Sequence, residues 1–344
     1  MTLSVIILNW NSRPLLQKLL PLVAERSNIE GVTLVVADNG SSDDSVKWIK
    51  ENMPSVKLIE LERNYGFAEG YNRALASITS DYSLLLNSDV EPGHNWLPPL
   101  LKAMDNNRDA AAVVPKIKSY NNRSYFEHAG AAGGFIDSFG YTFCRGRIFN
   151  EVEEDKRQYS NQDSIFWGSG AALMVRTELF RRSGGFDGDF FAHMEEVDWC
   201  WRIKNRGYKI LFVPSSEVFH IGGGTLDYSS PGKTYLNFRN NLFMILKNYQ
   251  AKALGLIIAL RLLLDLAALI NFLLSKEPKN AAAVFKAHRH FIRDYAKFRK
   301  KRNLLNPLVT HKKHTEMYKG SLVFDFYLRK RKKFGQLKFK GSSL

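Results

Sequence analysis

The chain has 344 residues, a net charge of +15 and two cysteines, Cys144 and Cys200. That length buries a sizeable core, and two distant cysteines without ligand spacing exclude a disulfide scaffold and point to a reducing compartment. The charge is uneven: residues 276–344 hold 20 Lys and Arg against 4 Asp and Glu, so a nearly neutral body carries a basic tail.

The start, MTLSVIILNWN, has no basic n-region or cleavage site and is expected not to be a signal peptide. LSVIIL at 3–8 is an apolar, β-branched run and reads as a buried strand that Asn9-Trp10-Asn11 closes. Ser12 is placed to cap a helix, Pro14 is tolerated in its first turn, and Leu15, Leu16, Leu19, Leu20 and Val23 recur at helical spacing. VTLVVA at 32–37 is a second strand. It ends in Asp38-Asn39-Gly40-Ser41-Ser42-Asp43, before a helix with Val46, Trp48 and Ile49. Residues 56–61 form a third strand, and Arg63-Asn64-Tyr65-Gly66 leads into a helix through Ile78. The run at 84–86 then breaks into Asn87-Ser88-Asp89, with Pro92-Gly93 beyond. This alternation predicts an α/β fold with a mostly parallel central sheet flanked by helices.

Three of these four strands end in Asn or Asp, and Asn64 follows the other. Ligands of open α/β sheets bind outside the carboxyl ends of the strands. Asn87 and Asp89 set oxygen ligands on one side of an extended segment, which suits a hard divalent cation. The bland alternative is that Asp89 caps the helix near Trp96 or forms an Asx turn. Gly66 and Gly70 permit close approach of a phosphate or sugar. No GxGxxG follows the first strand and no GxxxxGK[ST] occurs, so neither NAD nor a Walker-type ATP site is supported.

Residues 116–165 read as loops and short strands. The glycine-rich start of FWGSGAALMVR approaches something closely, and Thr177 caps a short helix. FFAHMEEVDWCWR places Glu195, Glu196 and Asp198 within four residues. On a helix 195 and 198 share a face, while 196 points about 100° away. An acidic first turn on the helix dipole is the alternative; Trp199 and Trp201 suggest a pocket wall. Residues 209–213 read as a strand. His220 precedes Gly222-Gly223-Gly224-Thr225 and is a candidate metal ligand.

These residues resemble glycosyltransferase family 2, and within it the bacterial rhamnosyltransferase-like branch. The motifs VIILNWN, VVADNGSSDDS, RNYGFAEGYNRA, LLLNSDV, FWGSGAALMVR, FFAHMEEVDWCWR and HIGGGT occur in the family's order across residues 1–250. The resemblance implies a GT-A fold at 1–250, with a nucleotide-binding half at 1–115 and an acceptor half at 116–250. It implies an inverting transfer of a sugar, such as rhamnose, from a dTDP- or UDP-sugar to a hydroxyl of a lipid-linked saccharide. Asn9, Asp38, Asn64, Gly66, Gly70, Asn72, Asn87 and Asp89 are its nucleotide-sugar candidates, with Asp38 matching the residue that holds the base. Asn87-Ser88-Asp89 stands at the DxD motif, with Asn87 where the family has Asp. Asp89 and His220 would hold Mg2+ or Mn2+. Glu196 matches the base, where the family usually has Asp; Glu195 and Asp198 stand beside it, Asp198 to orient the acceptor. Trp167, Gly168 and Trp199 are acceptor-binding candidates.

Residues 253–274 are long and apolar enough to span a bilayer. Arg261 and Asp265 sit in the middle, four apart, which favours a helix lying on the membrane or packed on protein. Phe285, His288, Ile292, Tyr295 and Phe298 recur among Lys and Arg, as on a basic amphipathic helix. Residues 251–344 are thus expected to be a helical, membrane-associating extension at the cytoplasmic face. It should bind an anionic membrane surface, and removing 276–344 should leave the fold intact. Nucleic acid is disfavoured, since no recognition fold accompanies RKRKKF at 329–334. The competing reading is a non-catalytic membrane or nucleic-acid binder on a decayed transferase fold. A nucleotidyltransferase would need a basic phosphate-binding loop after the first strand, which Asn9-Trp10-Asn11 is not.

Overall fold

The computed structural model describes residues 1–222 and 230–339. Gly223, Gly224 and Thr225 of the glycine run lie outside the described residues. The first half is built as its hydrophobic periods predict: β1 (Leu3–Asn9), α1 (Arg13–Arg26), β2 (Val32–Asp38), α2 (Ser45–Asn52), β3 (Lys57–Glu60), α3 (Gly66–Ala76), β4 (Tyr82–Asn87), β5 (Val90–Pro92), α4 (Leu97–Asn106) and β6 (Ala110–Ser119). Short strands follow: β7 (Gly134–Asp137), β8 (Thr142–Cys144), β9 (Arg147–Ile148), β10 (Glu151–Val152) and β11 (Asp163–Ile165). Then come β12 (Ala172–Arg176), α5 (Thr177–Arg182), α6 (Glu195–Asn205), β13 (Lys209–His220) and α7 (Pro231–Asn248). The chain continues with α8 (Leu254–Leu274), α9 (Pro278–Leu305), β14 (Met317–Tyr318) and α10 (Leu322–Tyr327).

The main sheet runs β11-β13-β6-β12-β4-β1-β2-β3, with β5 paired to β13. β1, β2, β3 and β4 are parallel neighbours, as expected. β12 enters antiparallel between β4 and β6, so the whole sheet is mixed. Alternate residues of β1 feed opposite layers. Val5 and Ile7 pack with Leu16, Leu20, Trp96 and Leu100, whereas Ile6 joins Tyr71, Leu75, Phe180 and Trp199. Register brings the strand ends level: Asn9 lies opposite Asp38, and Leu8 opposite Asn87.

Residues 276–344 are not the detachable tail expected of them. β14 pairs with β7 in a second sheet, ordered β10-β9-β8-β7-β14. Phe298 of α9 is buried and stacks on Phe243 with ring centroids 3.7 Å apart. Lys301 binds Asp187 at 2.5 Å and Asp189 at 2.6 Å. Lys204 of α6, deeply buried, reaches Glu316 at 2.9 Å. The basic surplus misleads because several of these cations pair with carboxylates of the body, and the aromatic residues between them complete its core.

Candidate active site

β1 and β2 deliver the first part of the site. Asp38 is buried, its Oδ1 accepting from Asn9 Nδ2 (2.8 Å) and Ser41 Oγ (2.6 Å), its Oδ2 from the Ser41 N–H (2.9 Å). Asn9 Oδ1 is buried with no partner among the described residues. Asn39 ties the neighbouring loop: its Nδ2 donates to Asn64 Oδ1 (3.1 Å) and the Gly66 carbonyl (3.1 Å), and its Oδ1 accepts the Tyr65 N–H (3.0 Å). Asn39 lay in the polar run after β2 but was not singled out, since nothing in the run marks which of its members turns inward.

β4 and β13 deliver the second part. Asp89 follows β4, and His220 ends β13, whose pairing with β5 sets His220 opposite Val90. His220 Nε2 lies 3.1 Å from Asp89 Oδ1, and its Nδ1 lies 3.1 Å from Glu127 Oε2. All three side chains are buried. Burial alone would lower the imidazole, but the two carboxylates outweigh it and raise His220 to about 10. Glu127, from the irregular stretch before β7, carried no sequence signal.

α6 delivers the third part, and its carboxylates divide as the helical period requires. Asp198 is fully buried: Oδ2 accepts from Arg202 Nε (2.9 Å) and Lys247 Nζ (2.8 Å), and Oδ1 from Asn248 Nδ2 (2.7 Å). It anchors α6 to α7 and cannot orient an acceptor, which corrects its expected role. Glu195 is also buried, and burial with Glu196 beside it pushes its carboxyl well above the usual range. Glu196 turns the other way and is half-buried. Burial pushes it up to about 7, against the backbone N–H groups of Glu196, Val197 and Gly170. One oxygen each of Glu195 and Glu196 lacks a partner among the described residues. Gly170 faces Glu196, and the next residue, Ala171, accepts the Asn87 N–H at 3.0 Å. Two residues of backbone thus join Glu196 to the Asn87-Ser88-Asp89 segment.

The loop entering α6 is held in an uncommon conformation. Phe191, His193 and Met194 have φ of 65°, 67° and 71°, a region that non-glycine residues seldom occupy. Asn240 of α7, fully buried, holds it by donating to the carbonyls of Phe190 (2.9 Å), Ala192 (2.9 Å) and His193 (2.7 Å). His193 Nε2 has no partner among the described residues, and burial lowers that imidazole to about 4.

Other expected contacts are filled by the protein itself. Gly66, at φ +78°, is overlaid by the Phe191 ring, which an added Cβ would meet at 2.5 Å. The first N–H groups of α3, on Phe67 and Ala68, donate to the Phe191 carbonyl. A Cβ on Gly70 would meet Leu8 and Asn39 at 3.0–3.1 Å. Asn72 exchanges both amide bonds with the Phe186 backbone (2.8 and 2.9 Å). Gly66, Gly70 and Asn72 therefore pack the scaffold instead of receiving phosphate or sugar. Trp167 is buried with Nε1 on the Phe135 carbonyl (2.8 Å), a Cβ on Gly168 would meet Val114 at 2.4 Å, and buried Trp199 donates to Ser183 Oγ (2.9 Å). These three lie in the interior and offer no acceptor surface. Asn64 and Asn87 are half-buried at the strand ends, where the sequence placed them.

The family model described as "Glycosyl transferase family 2" matches residues 4–184. The chain is 28% identical over 236 residues to the N-acetylglucosaminyl-diphospho-decaprenol L-rhamnosyltransferase of Mycobacterium tuberculosis, covering 63% of this chain and 75% of that protein. It is 25% identical over 163 residues to rhamnosyltransferase WbbL of Escherichia coli, covering 45% and 61%. The fold is similar to a crystal structure of GalNAc-T7 with UDP, GalNAc and Mn2+, at TM-score 0.57 and 19% identity, covering 73% of this chain and 48% of that one. That match takes in Asn9, Asp38, Asp89 and Glu127, with α6 and His220 beyond it, and covers more than half of the residues, so the chain belongs to glycosyl transferase family 2.

Proposed function

We propose that the chain moves a sugar, rhamnose foremost, from a dTDP- or UDP-sugar to a hydroxyl of a lipid-linked saccharide at the cytoplasmic face of the plasma membrane, with inversion. The observation that carries this reading is Glu196, a carboxyl raised to about 7 with an unpartnered oxygen, two residues of backbone from the Asp89 segment. A base works best when its pKa lies near the operating pH. Its carboxylate takes the acceptor hydroxyl's proton as that oxygen bonds to the anomeric carbon. The bond from that carbon to the donor diphosphate breaks, and its electron pair leaves with the diphosphate. One displacement inverts the centre. Glu195, which burial and Glu196 push well above the usual carboxylate range, stands beside the base. Asp38 and Asn9 form the polar floor for the nucleoside.

Asp89 and His220 would hold a divalent cation once His220, raised to about 10 between its two carboxylates, gives up the proton that Nε2 directs at Asp89. Their facing atoms are 3.1 Å apart, so both side chains reach one point beside the carboxyl end of β4. Glu127 on the second ring nitrogen orients the imidazole, as outer carboxylates do for metal-binding histidines. Among the described residues no set of three such side chains converges, so diphosphate oxygens and water would complete the shell, a common arrangement for Mg2+. A bound Mg2+ or Mn2+ would neutralise charge on the leaving diphosphate. Names of similar proteins support the donor class: a rhamnosyltransferase on a lipid diphosphate, and a structure holding UDP and Mn2+.

Titration calorimetry with dTDP and UDP tests this. At least one should bind tighter with Mn2+, and Asp89→Ala should lose that gain. Equal affinity with and without Mn2+ in both proteins would contradict the cation site, and no binding of either nucleotide would contradict the donor class.

A further inference from the structure

Helix α8 is the one helix among the described residues long and apolar enough to cross a membrane. Yet its buried side chains are Ile258, Arg261 and Asp265. Arg261 donates to Asp265 Oδ1 (2.7 Å), Asn241 Oδ1 (2.5 Å) and the Phe139 carbonyl (3.3 Å), and lies over the Tyr141 ring at 3.8 Å. His288 Nε2 stands 3.4 Å from the other Asp265 oxygen. At about 100° per residue these three share one side. The opposite side carries Leu256, Leu260, Leu263, Leu266, Ile270 and Leu273, all exposed, Leu263 by 62%. That arrangement inverts the usual surface helix, whose polar side faces water. The midpoint of α8 is bonded to Phe139 and Asn241 of the main body, so it cannot reach a bilayer centre while that body stays in water. Lying along a membrane meets no such obstacle.

Beside it, α9 exposes Phe285 (66%) and Ile292 (69%) among Lys286, Arg289 and Arg293. Residues 252–302 hold twelve Lys and Arg against three Asp and Glu. Arg261 is buried on Asp265, Arg293 is bound to Asp294 at 2.7 Å, and Lys297 and Lys301 pair with Asp189 and Asp187 of the body, so a smaller surplus faces outward, Lys279, Lys286, Arg289, Arg299 and Lys300 among it. Two copies of such a surface would repel, whereas an anionic leaflet attracts it.

We propose that the outer face of α8, with Phe285 and Ile292, seats in the acyl boundary of an anionic phospholipid leaflet, the helix axis lying in the membrane plane. This rests on the lipid-linked acceptor reading and adds which surface meets lipid, and how it lies. The test uses the full chain and vesicles of phosphatidylcholine with about one-third phosphatidylglycerol, without donor or acceptor. Failure here therefore leaves transfer to a soluble acceptor fragment standing, and failed transfer leaves vesicle binding standing. Wild type should sediment with these vesicles and far less with pure phosphatidylcholine. Leu263→Glu with Ile270→Glu should lower binding by about tenfold or more, with Tm unchanged because both side chains already face water. Single cysteines at positions 256 and 274, labelled with a fluorophore while the two native thiols stay buried, read the orientation. The probes, about 27 Å apart along the helix, should be quenched at one shallow depth by brominated lipids. Probes at unequal depths, undiminished binding of the Glu variant, equal binding to neutral vesicles, or self-association lost in that variant without vesicle binding would each overturn the proposal.

Discussion

Glu195, Glu196 and Asp198 occupy one turn of α6 and meet three environments. Sequence spacing showed that Glu196 points away from the other two. Which of the three stays unclaimed was not legible, because Lys247 and Asn248, the partners that claim Asp198, come from α7 about fifty residues on. The raised value at Glu196 has two consequences with fixed signs. A proton on the carboxyl disables the base, so kcat/KM should climb as pH rises through about 7 and level off above it. Because the folded value lies above the ordinary carboxylate's, the same group's contribution to stability is present at low pH and is lost as pH rises through about 7. A kcat/KM profile already flat below pH 6 would contradict the assignment.

Elements were easier to read where they obey one period. β1 to β4 and the helices between them follow from alternating apolar runs, but the expected caps are absent: the Ser12 hydroxyl donates to the Trp10 carbonyl, and Thr177 is the first residue of α5 with its hydroxyl on Ser83. β12 was not expected to run antiparallel, since a short run such as Ala172–Arg176 looks the same in either direction. The glycines misled for a related reason. Close approach is real at Gly66, but the approaching group is the chain's own Phe191. Asn240 is the unforeseen clamp, although an Asn pair in the apolar run LNFRNNLFMIL is itself a signal of buried polar work. Asn240→Ala would take the donor from the Ala192 and His193 carbonyls, while Phe190 keeps the Ala192 N–H and Arg239, at a cost of about 1–3 kcal/mol. It should lower kcat more than it weakens nucleotide binding, because the loop it holds leads to Glu196 and not to Asp38. Unchanged kcat in a stably folded variant would show that the loop needs no clamp.

At the scale of the molecule, the charge balance drew a boundary that the packing erases. The strand pair β7–β14, the Lys204–Glu316 bridge and Phe334 against Phe135 (4.8 Å) make residues 316–334 part of the body. Nothing local in the sequence pairs β14 with β7, which lie about 180 residues apart. Deleting residues 310–344 should therefore destabilise the whole protein. The deletion takes Glu316 from Lys204, β14 from β7, and Phe334 from the ring cluster around Phe135, and loss of a cooperative thermal transition is the expected readout. A truncated chain melting like the full one would restore the detachable tail.

Paired neutral substitutions on α6 reach the central claim most directly. Glu196→Gln keeps the size of the side chain and removes its capacity to take a proton at neutral pH. Transfer kcat, measured at saturating donor, should fall about 10²–10⁴-fold, with nucleotide affinity and Tm nearly unchanged. Asp198→Asn, in the same assay, should lower Tm by weakening the Arg202–Lys247 network and leave kcat per folded molecule largely intact. Full transfer by Glu196→Gln, or loss of transfer in a stably folded Asp198→Asn, would contradict the account.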